Sequence, residues 1–182
     1  GGGGVLSTDL CARHGLETPT LTQGTMDCLI PIVPPIAAVA NPIDLTPDMF
    51  KPEWLAQFPQ ALDAIASDPN VDMIFLPLTS MARGSAEVGQ MLLEFRRRTK
   101  KTVCLSWTIP PQDGFDLVVA DGMYVFPEPS SAIGVMGKIT GYATAETREP
   151  ASAGEIRAFD WNSFLPDAKP GTVVSEDACH QI

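Results

Sequence analysis

The chain predicts an α/β fold in which a doubly wound, parallel sheet is built from strands joined by crossover helices. Three observations predict it. Helical and extended patterns alternate from Val5 to about Glu146. The runs at 71–78 and 102–107 are short and mostly apolar, as buried strands are. Between them Ser85 opens a segment whose Val88, Met91, Leu92 and Phe95 recur at helical spacing.

Taken in order, residues 5–14 read as a helix stopped by Gly15, where a left-handed cap is common. Residues 17–21 suit a short strand, and 23–30 a second helix that ends at the proline-rich stretch 31–35. Residues 39–45 return toward the sheet. Residues 52–67 are helical in pattern, with Leu55, Phe58, Leu62 and Ile65 on one face, but Pro59 lacks a backbone donor and predicts a kink or a fresh start. A strand at 71–78 follows, then a helix from Ser85 to Thr99 that the Ser85 hydroxyl is suited to cap. Residues 102–107 form another strand, 114–121 a short helix, 123–126 a short strand, and 127–146 a closing helix. Beyond Arg148 periodicity is lost and Pro, Gly, Ala and acidic residues gather, as in a linker. Val174 opens one more helix, cut short at Ile182.

A chain of 182 residues can bury one substantial core with an appendage. The net charge of -10 argues against nonspecific binding to nucleic acid or an anionic membrane, both of which need clustered cations. The basic run Arg96, Arg97, Arg98, Lys100 and Lys101 closes a predicted helix, where cations complement the negative pole. No apolar stretch approaches a membrane span. Cys11, Cys28, Cys104 and Cys179 show no C-x-x-C spacing, and with only His14 and His180 they predict no metal site. Free thiols in a reducing cytoplasm fit this pattern.

The strongest functional signal is the run Gly1, Gly2, Gly3 and Gly4 ahead of a helix. A backbone without Cβ atoms admits a ligand closely, and the N–H groups and dipole of a helix start favour an anion such as phosphate. Thr79, Ser80 and Met81 follow a predicted strand, where open α/β sheets place their ligands. Asn41, Asp44 and Thr46 in Asn-Pro-Ile-Asp-Leu-Thr suit a turn near such a site. His14, at a helix C-terminus, reads as a partner of the helix dipole. No G-x-S-x-G, H-E-x-x-H or G-K-[ST] phosphate loop is present, and no paired carboxylates suggest acid–base work, so no residue of the chain is expected to be catalytic.

In order and spacing, Gly1-Gly2-Gly3-Gly4-Val5-Leu6-Ser7-Thr8-Asp9-Leu10-Cys11, the Asn41 to Thr46 motif, residues 61–74, Leu76-Pro77-Leu78-Thr79 and the strand at 102–107 resemble the NDP-forming (ADP-forming) acyl-CoA synthetases, the superfamily of succinyl-CoA synthetase. The resemblance implies a flavodoxin-like, three-layer α/β/α domain at 1–146 whose first strand is missing, since a glycine turn normally follows a strand. It further implies a linker at 147–173 and the truncated start of an ATP-grasp domain at 174–182. The full enzyme would join an acid, ATP and CoA into acyl-CoA, ADP and phosphate through a phosphohistidine, with Mg²⁺ at the nucleotide. This domain would bind no cofactor alone, and would offer helix N-termini, Gly1 to Gly4 and the Thr79, Ser80 and Met81 loop, to the phosphate.

The partners implied are upstream CoA-binding and phosphohistidine domains and the downstream ATP-grasp domain, with an oligomer compatible with an open sheet edge. The Ser-Ser-His-Thr-Gly type setting of the family's phosphorylated histidine is not in this chain. In succinyl-CoA synthetases the loop corresponding to Thr79, Ser80 and Met81 is glycine-rich. Two other readings remain open: the regulatory platform of a protein acetyltransferase, and a stand-alone flavodoxin-like binding module.

Overall fold

The fold hangs on three parallel strands, β1 (Met73–Leu78), β2 (Thr102–Trp107) and β3 (Val125–Phe126), hydrogen-bonded in that order. The computed structural model describes residues 2–81 and 83–145. Gly1, Ala82, Glu146, the expected linker at 147–173, the expected helix at 174–182, Cys179 and His180 lie outside the described residues.

Met73 stands opposite Thr102 and Leu78 opposite Trp107, while Leu105 and Ser106 meet Val125 and Phe126. The Thr108 amide donates to the Leu78 carbonyl at 2.9 Å. In a parallel ladder this directs the backbone groups of Ile74, Leu76 and Leu78 toward β2 and those of Met73, Phe75 and Pro77 toward the outer edge. Pro77 therefore sits where its missing N–H costs no ladder bond. Among the described residues no strand covers that outer edge.

The helices are α1 (Gly2–Arg13), α2 (Gln23–Leu29), α3 (Pro52–Leu55), α4 (Phe58–Ser67), α5 (Ser85–Arg98), α6 (Gln112–Ala120) and α7 (Pro129–Thr144). Right-handed β-α-β crossovers put α5 and α6 on one face. There Leu92, Phe95, Leu105, Trp107 and Val118 join Phe58 and Leu62 of α4 in the main core. Burying side chains of this size contributes about 1.5–3 kcal/mol each. On the other face α7 buries Ala132, Ile133 and Met136, and its Thr140 hydroxyl lies 3.4 Å from the Met73 sulfur. Helix α1 packs on α7. The His14 backbone lies so close to Gly137 that a Cβ there would sit 2.8 Å from the His14 carbonyl oxygen.

Several local expectations are corrected. The glycines form no turn ahead of α1, because Gly2, Gly3 and Gly4 are its first turn. The amides of a first turn have no i−4 carbonyl to donate to, and glycine's weak helix propensity costs least at such an end. Residues 17–21 are not a strand, and residues 39–45 do not join the sheet. The latter make one antiparallel bridge, Ala38 with Asp44, across the turn at Pro42. Helix 52–67 breaks between Leu55 and Phe58, so that Pro59 falls in the first turn of α4, where its missing donor does no harm. Ser85 does not cap α5. Gly84, at φ 77°, holds the N-cap position, and Ser85 is the first helical residue.

Most of the basic run is engaged nearby: Arg96 and Arg97 pair with Asp121, Arg98 with Asp63 at 2.8 Å, and the Lys101 ammonium donates to the Val71 carbonyl. Asp68, almost fully buried, ties α2 to the end of α4. It accepts from the Thr22 amide at 2.8 Å, the Thr22 hydroxyl at 3.0 Å and the Asn70 amide at 2.9 Å. The Thr25 hydroxyl, then the Asn70 and Thr22 donors, hold its carboxyl down to about 2, against the opposing effect of burial.

Two outcomes follow from this packing. A Cβ on Gly114 would stand 2.7 Å from both the Ser85 carbonyl oxygen and Trp107 Cη2. Gly114→Ala should therefore lose about 1–3 kcal/mol in a denaturant melt. Gly24→Ala, with open space around it, should keep its stability or gain up to about 1 kcal/mol; equal effects of the two would contradict the packing. For Asp68, a lowered carboxyl contributes stability above the unfolded value near ~4 and loses it as pH falls toward about 2. The melting difference between wild type and Asp68→Ala should therefore narrow across that window, and a difference constant down to pH ~2 would contradict the assignment.

Candidate functional site

The carboxyl ends of β1 and β2 set the stage, because in open α/β sheets this is where loops are free to meet a ligand. The loop after β1 begins with Thr79, Ser80 and Met81 and closes through Arg83 and Gly84 into α5. Its amino-terminal end is held by β2. The buried Trp107 indole donates from Nε1 to the Thr79 carbonyl at 3.1 Å, next to the bond from Thr108 to Leu78.

Its carboxyl-terminal end is held by α6. The Ser85 hydroxyl donates to Asp113 Oδ1 at 2.5 Å. The Ser85 hydroxyl, then the Gly114 amide, hold the Asp113 carboxyl below the usual carboxylate range, with burial working against them. Asp113 lies in the first turn of α6, where a negative charge also complements the helix dipole. The close approach of α5 to α6 at Gly114 brings the two helix starts side by side, and an internal carboxylate already serves the Ser85 hydroxyl there.

The glycine run stands at the start of α1. Gly2 and Gly3 are exposed, and nothing lies within 4 Å of where their Cβ atoms would be. Packing therefore does not demand glycine at either position. Around Gly4 the situation differs: a Cβ there would come within 3.3 Å of Pro42. This brings the glycine run and the Asn-Pro-Ile-Asp-Leu-Thr turn together. In that turn the Asn41 side-chain amide donates to the Pro19 carbonyl at 3.0 Å, Asp44 Oδ1 accepts from the Thr46 amide at 3.0 Å, and Thr46 Oγ1 accepts from the Asp48 amide at 3.3 Å. Thr46 takes a positive φ of 58°, an uncommon geometry for a β-branched residue. Among the described residues no hydrogen bond joins Thr79, Ser80 or Met81 to Gly2, Gly3 or Gly4. Gly1 lies outside them.

His14 follows the last residue of α1 and packs beside Gly134, whose Cβ would stand 3.6 Å from its ring. Cys11 and Cys104 are buried, and burial pushes both thiols up; Cys28 is exposed. Among the described residues no three His, Cys, Asp or Glu side chains gather as metal ligands. Two surface grooves, of about 460 and 520 Å³, lie at the other end of the sheet, one against Arg98 and Lys101 and the other against Thr22 and Cys28. Both are open troughs remote from the strand ends. No helix of the described residues is long and apolar enough to cross a membrane.

Sequence reasoning missed Trp107, Asp113 and Arg83. The partners of Trp107 and Asp113 lie 28 residues away in the chain, and no local pattern reports them. Arg83 is exposed in the loop and hydrogen-bonds to no other described residue, and its place between Met81 and the helix start was visible.

No family model matches the chain. Over 74 residues it is 32% identical to the ADP-forming acetate–CoA ligase II subunit alpha of Pyrococcus furiosus, a stretch covering 41% of this chain and 15% of that protein. The crystal structure of PH0766 from Pyrococcus horikoshii OT3 superposes with a TM-score of 0.68 at 22% identity, over 79% of this chain and 34% of that one. The dinucleotide-forming acetyl-coenzyme A synthetase 1 of Candidatus Korarchaeum cryptofilum, in its apo form, gives 0.65 at 24% identity, over 78% and 31%. The same enzyme in complex with phosphate and ADP gives the same values. The chain thus spans about a third of the solved structures it matches and less of the curated relative. The structural likeness shows the shared flavodoxin-like fold, and the sequence match runs to an ADP-forming ligase. That match, on that fold, supports a relationship to the NDP-forming (ADP-forming) acyl-CoA synthetases.

Proposed function

We propose that this chain is the flavodoxin-like domain of an ADP-forming acyl-CoA synthetase, an acid–thiol ligase that converts an acid, ATP and CoA into acyl-CoA, ADP and phosphate through a phosphohistidine. The observation that carries the proposal is the 74-residue match to an ADP-forming acetate–CoA ligase subunit. The domain's part is to steady a travelling phosphoryl group. A phosphate in transit needs fixed donors that stabilise it without trapping it, and exposed amides in the first turn of α1 together with the hydroxyls of Thr79 and Ser80 offer such donors. Asn41, Asp44 and Thr46 form the turn that braces α1 through Gly4 and Pro42.

The remaining chemistry is assigned to other domains of the same protein. In this reading ATP, Mg²⁺ and CoA are bound by the CoA-binding, phosphohistidine and ATP-grasp domains of a cytoplasmic enzyme. The linker at 147–173 and the ATP-grasp start at 174–182 are part of this proposal.

The test compares the parent protein with the 182-residue chain in an assay for acid-, ATP- and CoA-dependent thioester and ADP. The parent should turn over, the chain alone should not, and Ser80→Ala in the parent should lower kcat by about tenfold, the effect of one hydrogen bond to a charged group. Turnover by the chain alone, or a parent that acetylates protein without forming ADP, would overturn the reading.

A further inference from the structure

We infer that Trp107 and Asp113 are positioning residues: they clasp the loop after β1 at its two ends and so set where Thr79, Ser80 and Met81 stand. The inference rests on the reading of that loop as the phosphate-facing one.

At one end, the Trp107 indole N–H donates to the Thr79 carbonyl at 3.1 Å, and Trp107 is itself 1% exposed and walled by Gly114. Its ring cannot swing away without opening the α5–α6 seam. At the other end, Asp113 Oδ1 receives the Ser85 hydroxyl at 2.5 Å, and Ser85 is 3% exposed. Between these anchors the side chains of Thr79, Ser80 and Met81 make no hydrogen bond to another described residue, so they add no further brace to the loop. Gly84 completes the geometry. Its φ of 77° turns the chain into α5 just ahead of Ser85, an angle that glycine adopts without strain.

Both anchors come from one continuous piece of chain, the end of β2 and the start of α6. The loop and that piece therefore form one mechanical unit, and a hydroxyl offered by Ser80 is only as well placed as the two bonds that hold its flanks. Asp113 acts through Ser85, and Trp107 through the Thr79 carbonyl; neither is assigned contact with the phosphate.

Amide hydrogen exchange on the 182-residue chain tests this without any turnover. Asp113→Asn and Ser85→Ala should each speed exchange in the loop after β1 by about tenfold or more, the effect expected when a hydrogen bond to a charged group is lost. Trp107→Phe should speed it by about threefold or more. Amides within β1 and β2 should change much less. The double variant Ser85→Ala with Asp113→Asn should exchange no faster than either single one, since both break the same bond. Loop exchange unchanged in Asp113→Asn, additive effects in the double variant, or a uniform rise across β1 and β2 would overturn the clasp. Should Trp107→Phe fail to fold, the exposed Asp113 still decides the matter. A parent without ligase activity would remove the phosphate reading and leave these exchange results standing.

Discussion

The close contact at Gly114 is the constraint on which the rest of the structure depends. With no Cβ there, α6 seats its first turn against the Ser85 carbonyl and the edge of Trp107. Three consequences share that cause. The α5–α6 seam closes over β2, Trp107 is locked with its indole N–H toward the Thr79 carbonyl, and Asp113 comes within reach of the Ser85 hydroxyl. The packing of one face of the sheet and the placement of the loop at its carboxyl end are therefore one arrangement.

The same arrangement clarifies how charge is used. A chain with a net charge of -10 would be a poor place for a phosphate unless donors were concentrated where the acids are not. Arg96, Arg97, Arg98 and Lys101 of the basic run are engaged by Asp121, Asp63 and the Val71 carbonyl, at the opposite end of α5 from the loop. At the start of α5 the Ser85 hydroxyl is already given to Asp113. At the strand-end loop the Thr79 and Ser80 hydroxyls face solvent, as do Gly2 and Gly3 in the first turn of α1. Fixed dipoles and neutral donors suit a group that must arrive and leave.

Much of the framework was legible because it is local. The mostly apolar run at 102–107 is β2 to the residue, and the helical spacing of Val88, Leu92 and Phe95 is the buried side of α5. Pro59 marked the restart of α4 for the reason sequence supplies, a missing donor that only a first turn tolerates. Failures came where tertiary pairing decides. Residues 39–45 carry strand-like composition, yet Ala38 pairs with Asp44 across Pro42 and never reaches the sheet. Ser85 has the composition of a cap, and its hydroxyl is drawn instead to a carboxylate 28 residues away. For the site, the glycine run and the loop after β1 were visible as composition and position, whereas Trp107 and Asp113 were not, because what they do is defined by the crossing of β2 and α6 over β1 and α5.

The most direct test of the account is a titration of the ¹⁵N-labelled chain with inorganic phosphate, followed residue by residue through its amide resonances. The account predicts saturable shifts at Gly2, Gly3 and Gly4 and at Thr79, Ser80 and Met81, with the amides of Arg96, Arg97 and Arg98 unmoved. Shifts confined to that basic run, or none at the glycines and the loop, would contradict the claim that this domain presents its helix start and strand-end loop to a phosphate.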